Sequence, residues 1–312
     1  MYTLALWGQA SPDKKIVGAH NDHNAEQSHI QTCTSAESFV KIFLFFTGEA
    51  PATSQIPVSA EDFVHIAGRA NIFPENIGAA GRTLRIYEVD RETGFRIDSA
   101  NPVAEISIGA NGAWGPVEVK KGVTYEFVLT YDTEENATHI FYREPFFADN
   151  YFVRLNTSEP GSGVGNYLIR SANHTNLMIG RDKEMWGDQG ANNDILMVDV
   201  TSVLTPVAAA QAHRLSALFL FDMGPNELAN GLPDPNYDGV SSDLSTPNKF
   251  FHSLPFISGL DLYIPAANPP DRTISIVLTP RGGEGATQTI NVPNWPSDII
   301  RSISVQFRDF VQ

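Results

Sequence analysis

Cysteine is almost absent from this sequence: Cys33 is the only one in 312 residues. A lone thiol closes no internal disulfide, so the fold does not depend on oxidation. The compartment stays open, because exported proteins also manage without disulfides. Positive charge is scarce too, with 21 Lys and Arg against 36 Asp and Glu and a formal net charge of −15. Such a surface repels phosphate backbones and anionic bilayers, and no basic patch with interleaved aromatics interrupts it, which argues against nucleic-acid binding. Solubility is sufficient reason for the acidity. No stretch approaches the roughly 18 uninterrupted apolar residues of a transmembrane helix. The opening "MYTLALWGQA" has no basic lead-in and only a very short apolar run, so it is not a signal peptide.

What is present is core and turn material. Hydrophobic residues make up 42% and charged residues only 18%, ample for packed cores and unlike a disordered acidic chain. The 24 Gly and 20 Pro punctuate short segments. "YTLALW" (2–7) reads as a strand buried on both faces, and 8–19 as a loop. Thr34 and Glu37 form a capping box ahead of a helix over Ser35–Thr47. Its apolar face is widened by Leu44 and Phe45, so it should be largely covered, and Gly48 ends it. Residues 49–55 read as a linker. "VHIAGRANIF", "GRTLRIYEVD" and "GVTYEFVLTYD" then alternate apolar and polar residues between turns, which places a β-sandwich module over 56–147. Short strands such as "TNLMIGRD", "RTISIVLTPR" and "RSISVQFRDF" place a second β region over 148–312, with the boundary weak enough that both parts could form one larger assembly.

His29 carries the chemical interest, since it stands on a loop just ahead of a capped helix. In an α/β-hydrolase the catalytic histidine follows the last core strand and precedes a final helix, with chain order serine, acid, histidine. A plain loop histidine is the alternative. The stretch "DHNAEQSHIQTCTSAESFVKIFLFFTGEAP" (22–51) resembles the closing segment of a group of bacterial and archaeal lipases that carry a C-terminal β domain after their hydrolase domain. "TLALWGQASPDKKIVGA" (3–19) is similar to the strand and loop before the histidine there. "RDKEMWGDQGANNDILMVDV" (181–200), "FFHSLPFISGLDLYIPA" (250–266) and "INVPNWPS" (290–297) look like the β domain. The resemblance implies a mainly β chain: the end of an α/β-hydrolase domain over 1–48, then β-sandwich or β-barrel modules, the last of lipase C-terminal type. It also implies that His29 is the triad histidine and that the β part helps the enzyme take long acyl chains. Asp13, on the loop after the first strand, is the candidate acid. In some relatives the acid lies earlier in the chain, and Asp13 is also readable as a loop aspartate beside Lys14 and Lys15.

The nucleophile is missing. No Gly-x-Ser-x-Gly occurs; "EPGSGVG" (159–165) has no following helix and "GVSSD" (239–243) lacks the last glycine. The expectation is therefore that the serine lies upstream of Met1, that the chain is the C-terminal part of a longer lipase or esterase, and that it is inactive alone. The parent is expected to be extracellular, to act on lipid or ester substrates, and to need no cofactor. His20, Asp22, His23 and His29 match no metal-ligand spacing. "DPNYDGVSSDLS" (Asp234–Ser245) opens like a calcium loop but ends on Ser245 where a bidentate Glu belongs, so any calcium there would be structural. "RDKEMWGDQG" (181–190) reads either as the lining of a ligand groove or as a loop anchored by Trp186. The rival functional reading is a non-catalytic β-sandwich binding module for carbohydrate or a cell surface, since "VHIAGRANIF" through "TYEFVL" resembles transthyretin-like modules.

Overall fold

A computed structural model describes residues 3–9, 11–25, 27–131, 138–159, 164, 167–206, 215–222, 242–243, 251, 254, 256–283 and 287–308. The N-terminal piece is a parallel pair, β1 (Leu4–Gly8) and β2 (His20–Asn24), followed by a single helical turn α1 (Gln31–Thr34) and the helix α2 (Ala36–Thr47). A parallel pair needs a crossover of about a dozen residues, usually a helix. Here the crossover is irregular, and the Asn21 side chain holds it by accepting from Ile16 N (2.9 Å) and donating to the Ile16 and Ala19 carbonyls.

Three expectations are corrected in this piece. The first strand is not buried on both faces: of β1 only Ala5 is buried, because a single neighbour flanks it. The N-cap of α2 is Ser35, whose hydroxyl accepts from Ser38 N at 3.1 Å. Thr34 cannot serve, because it is itself helical in α1 and donates its hydroxyl to the Ile30 carbonyl. The helix is also not covered. Phe39, Ile42, Phe43, Leu44 and Phe46 are exposed, while the buried residue of α2 is Ser38. What faces inward is polar. Gln27 donates to Ser35 and Glu37 and accepts from Ser38 and Asn24, and Lys41 reaches Asp22, Asn24 and Glu37. Gly48, at φ +80°, ends the helix in the left-handed conformation expected of it.

From residue 63 the chain is mainly β. One sheet is built on β3 (Phe63–Ile72), which pairs in parallel with β10 (Asn150–Thr157) and antiparallel with β7 (Ala113–Lys120) and β4 (Ile77–Gly78). At Gly68 a Cβ would stand 1.7 Å from the Val153 carbonyl oxygen, so only glycine allows β3 and β10 this approach. A nine-stranded sheet runs in the order β15 (Ser242–Asp243), β16 (Ile257–Asp261), β14 (Leu215–Phe221), β11 (Leu177–Met185), β19 (Ile300–Phe307), β9 (Thr138–Arg143), β8 (Thr124–Tyr131), β5 (Arg82–Val89), β6 (Ala104–Ser107). A third sheet orders β13 (Thr201–Ser202), β12 (Ile195–Val198), β17 (Thr273–Thr279) and β18 (Gln288–Pro293).

The nine-stranded sheet is the middle layer. Along β5, β8 and β9, Leu84, Ile86, Phe127, Leu129 and Phe141 enter a core shared with β3, β7 and β10, and that core runs on to Val153 and Leu155. Alternate residues Val89, Val128, Ile140 and Tyr142 enter a second core, shared with the third sheet and with Ile303, Val305 and Phe307 of β19. Each large aliphatic or aromatic side chain buried this way contributes about 1.5–3 kcal/mol. The parallel pairing of β9 with β19, Ile140 opposite Ile303, makes the two β regions one continuous sheet.

Candidate functional site

The sheet built on β3 covers the nine-stranded sheet over β5, β8 and β9 and stops at β10. Beyond β10 the same face, over β19, β11 and β14, is open and forms a cleft. Its floor follows from strand alternation and register. Phe141, Ser304, Met178 and Phe219 stand in one row across four strands, and Arg143, Gln306, Gly180 and Ala217 in the next. The cleft has an apolar part of about 370 Å³, lined by Leu168, Val164, Phe219 and Phe256 among others. It also has a charged part of about 540 Å³, with Arg143, Glu144, Arg154, Asp182 and Arg308. Ser304, Gln306, Met178 and Asp182 line both parts. At Gly180 a Cβ would meet Gln306 Oε1 at 2.3 Å, so the glycine makes room for the glutamine side chain, which donates to Asp182 at 2.9 Å.

Buried polar groups furnish this floor. His139 has Nδ1 3.0 Å from Thr157 Oγ1 and Nε2 2.7 Å from Ser304 Oγ, and it stacks on Phe141 with centroids 4.0 Å apart. Arg301 donates to Thr157 Oγ1 (3.0 Å) and to the Ser158 carbonyl (2.7 Å). Burial, helped by the charge of Arg301, holds the His139 pKa well below its ordinary value, so the ring is neutral. Burial raises the Asp182 carboxyl, against the pull of Arg143, Gln306, Arg308 and Arg181. The side chain of Glu144 is occupied, accepting from Arg308 N (2.8 Å) and from Gln288 (3.0 Å).

The N-terminal piece joins the cleft through one carboxylate. Glu184 of β11 is buried and accepts from the Ser28 hydroxyl and from Ile30 N (2.6 Å). These are the residues on either side of His29. Ile30, Cys33 and Thr34 then form part of the cleft wall. Next to Glu184, Asp194 is fully buried. It accepts from Arg181 Nη1 (3.1 Å), Arg281 Nη1 (2.6 Å), Arg281 N (2.8 Å) and Trp186 N (2.8 Å), while the Arg281 guanidinium lies 3.9 Å from the Trp186 ring centre. Charge-assisted bonds of this kind fix the loop. The stretch 181–190 thus has both characters that its sequence suggested: an anchored loop around Trp186, and a strand whose Asp182 lines the cleft.

His29 itself is exposed, and no hydrogen bond to its ring is found among the described residues; its carbonyl accepts from Thr32 Oγ1 at 2.7 Å. Asp13 is exposed on the crossover loop, with no hydrogen bond or ion pair joining it to His29. The other N-terminal histidines are drawn apart. His23 stacks on Trp7 and binds the Lys14 carbonyl (2.8 Å), and His20 stacks on Phe45. No metal-holding group of His, Cys, Asp and Glu occurs among the described residues. Most of the Asp234–Ser245 loop and Gly161–Gly163 lie outside the described residues. Sequence reasoning missed Arg301, Thr157, His139 and Ser304. The signal for Ser304 was the alternation in "RSISVQF", which places Ser302, Ser304 and Gln306 on one face, although nothing in it says that the face lines a cleft.

Residues 62–160 match the family model of the lipase C-terminal domain, and residues 163–311 match a second model whose description is also of a C-terminal domain. No curated protein matches the chain. Among solved structures, the shaft pilin SpaA of Lactobacillus rhamnosus GG aligns over 80% of this chain and 99% of its own, at 12% identity and a TM-score of 0.23. A double mutant of that pilin aligns over the same shares with a TM-score of 0.21. Likeness at that level carries no argument about fold or function. The region built on β3, β5, β7, β8, β9 and β10 is therefore similar to a lipase-associated C-terminal β domain.

Proposed function

We propose that this chain is the C-terminal part of an α/β-hydrolase lipase or carboxylesterase of bacterial or archaeal type. In this reading residues 1–48 end the hydrolase domain and the cleft receives the acyl chain of the substrate. His29 takes the proton of a serine carried by an upstream hydrolase domain as that serine attacks the ester carbonyl, then returns it to the departing alkoxide. Asp13 is the candidate acid that fixes the tautomer and orientation of the ring. The exposed apolar stripe of α2 is the surface the upstream domain would cover. The chemistry needs no cofactor, and the parent enzyme is taken to act outside the cell. The observation that carries the reading is the Glu184 clamp. It fastens the residues flanking His29 beside a part-apolar cleft, next to a region similar to a lipase C-terminal domain.

The test is hydrolysis of short- and long-chain p-nitrophenyl esters by the product of the complete reading frame, with and without His29→Ala. The expected loss of kcat is on the order of 10⁴-fold or more. Undiminished turnover in the variant would remove His29 from the mechanism. The rival reading, a non-catalytic binding module, draws on the exposed His29 ring with no carboxylate upon it, and an inert full-length product would favour it.

A further inference from the structure

β10 is an edge strand whose free side faces the cleft. It pairs with β3 alone, and among the described residues no strand continues that sheet beyond it, while the nine-stranded sheet beneath runs on through β19, β11 and β14. The upper layer therefore ends at least one strand short of the lower. Which backbone groups look into the cleft follows from the parallel ladder, in which successive residues turn their N–H and C=O to opposite sides. Phe73 N donates to the Thr157 carbonyl at 2.7 Å, so Thr157, and with it Leu155 and Val153, turns its backbone toward β3. Arg154 and Asn156 turn theirs the other way, and both residues line the cleft. The phase agrees with the Arg154 carbonyl, which accepts from the Arg143 side chain where the amide of a neighbouring strand would donate. The Arg154 amide and both backbone groups of Asn156 have no partner among the described residues.

A free strand edge is a template for another strand. Its surroundings say which kind. The charged part of the cleft, about 540 Å³, runs along Phe152, Arg154 and Asn156. From Phe152 to Asn156 the strand covers about 13 Å. α1 forms the far wall with Ile30, Cys33 and Thr34, so the space suits a lone extended segment better than the edge of a second sheet. On the outer face of β10, Arg154 forms no ion pair among the described residues. Its guanidinium donates to the Asn76 side chain and lies 6.0 Å from the Phe152 ring centre, and its buried Nε has no partner. A strand laid beside β10 places one of its own side chains next to Arg154 on that face, and opposite charges make the favourable cross-strand pair. β10 contains no acid, so a second copy of it offers Arg154 no counter-charge. The added strand's alternate side chains would turn down onto the floor at Met178 and Ser304, where short or apolar groups fit.

We propose that the free edge of β10 takes up an extended segment of a partner polypeptide by strand addition, with an acidic residue of the partner beside Arg154. The proposal goes beyond the acyl-chain reading and does not depend on it, since the apolar end of the cleft at Phe219 and Phe256 lies outside the charged part that β10 borders. The probe is an acetylated octapeptide that alternates Val and Thr, with one central Thr replaced by Glu, added to the full chain and followed by calorimetry and amide exchange. Exchange of the Arg154 and Asn156 amides is expected to slow on binding. Methylating one alternate set of peptide amides should weaken binding by about 10-fold or more, the worth of one to two hydrogen bonds, and methylating the other set should not. Asn156→Pro removes a cleft-facing amide without touching the β3 ladder and should cause a similar loss. Arg154→Glu should weaken the Glu peptide several-fold, and exchanging that Glu for Lys should restore binding to the variant; this charge swap keeps the test valid if the proline variant fails to fold. Binding that leaves the Arg154 and Asn156 amides unprotected, or that ignores both methylated sets, overturns strand addition. Equal binding of the Glu and Lys peptides to the unaltered chain overturns the acidic partner. A chain that dimerises alone, and becomes monomeric as Asn156→Pro, gives the edge to a second copy and overturns the foreign segment. No binding of any of these peptides overturns the proposal outright.

Discussion

The two ends of this molecule are held in opposite ways. In the β region, apolar side chains point inward on both faces of the nine-stranded sheet, and two cores share it. In the N-terminal piece, α2 turns Ser38, Lys41 and Glu37 toward Gln27, Asn24 and Asp22 and leaves Phe39, Phe43 and Phe46 outward. Burial of the Lys41 ammonium opposes its charge, but Asp22 and Glu37 outweigh that and raise its pKa. Apolar burial is additive and local to each side chain, whereas a hydrogen-bonded network stands or falls with its members. The β region should therefore tolerate loss of any one surface contact, while the N-terminal piece hangs on a few acceptors, Glu184 first among them.

The comparison can be broken at the core. Phe127 is fully buried in the first core, and Phe127→Ala should cost about 3–5 kcal/mol. Urea unfolding of the whole chain reads this out, and a cost under about 1 kcal/mol would mean that the cores do not carry the fold. It is sharpened at Glu184. Glu184→Ala leaves Ile30 N and the Ser28 hydroxyl without their acceptor, worth about 1–3 kcal/mol locally. Amide exchange should then speed up across residues 27–47 and stay unchanged in β8 and β9; equal acceleration in both regions would show that the two are not separately held.

A pH titration probes the floor between the regions. The folded pKa of His139 is depressed, so below the unfolded value of about 6.5 the unfolded chain binds a proton that the folded chain refuses. Stability should fall as pH drops through about 6.5 toward the depressed folded value, by at most about 1.4 kcal/mol per unit. Glu126, whose pKa burial raises despite Arg96 and Tyr142, works with the opposite sign nearer the carboxylate range. Unfolding curves of the chain and of His139→Gln between pH 7 and 5.5 check the assignment, since the variant should lack this slope. The smallest effect belongs to α2: Phe43→Ser and Phe46→Ser should change stability by less than about 0.5 kcal/mol and raise solubility. A large destabilisation would mean that the stripe is covered in the isolated chain.

How far the sequence could be read depended on whether the deciding interaction was local. Gly48 ended α2 as expected, because a left-handed cap is a property of one residue and its helix. The alternation in "RTLRIYEV" and "TYEFVLTY" marked β5 and β8, because strand period is local as well. The cap of α2 moved by one residue because the turn at 31–34 claimed Thr34, a competition between adjacent segments that spacing alone does not resolve. The orientation of α2 was opposite to its pattern, since Gln27 and Asp22 decide it from outside the helix. The floor of the cleft was least legible. Arg301 and Ser304 reach Thr157 and His139 only through the pairing of β19 with β9 and the approach of β10, contacts that span 144 and 165 residues of chain.

That pairing also bears on how the chain is made. β19 leaves the ribosome long after β9 and β11, yet it sits between them in the sheet. Until it arrives, β9 is an open edge with unpaired backbone groups, ready to join another nascent chain. The second core lacks Ile303, Val305 and Phe307 for the same interval. At about 5–20 residues per second the wait between β9 and β19 is roughly 8–30 s. The two β regions consequently cannot finish folding one after the other as they emerge; they close together around β19.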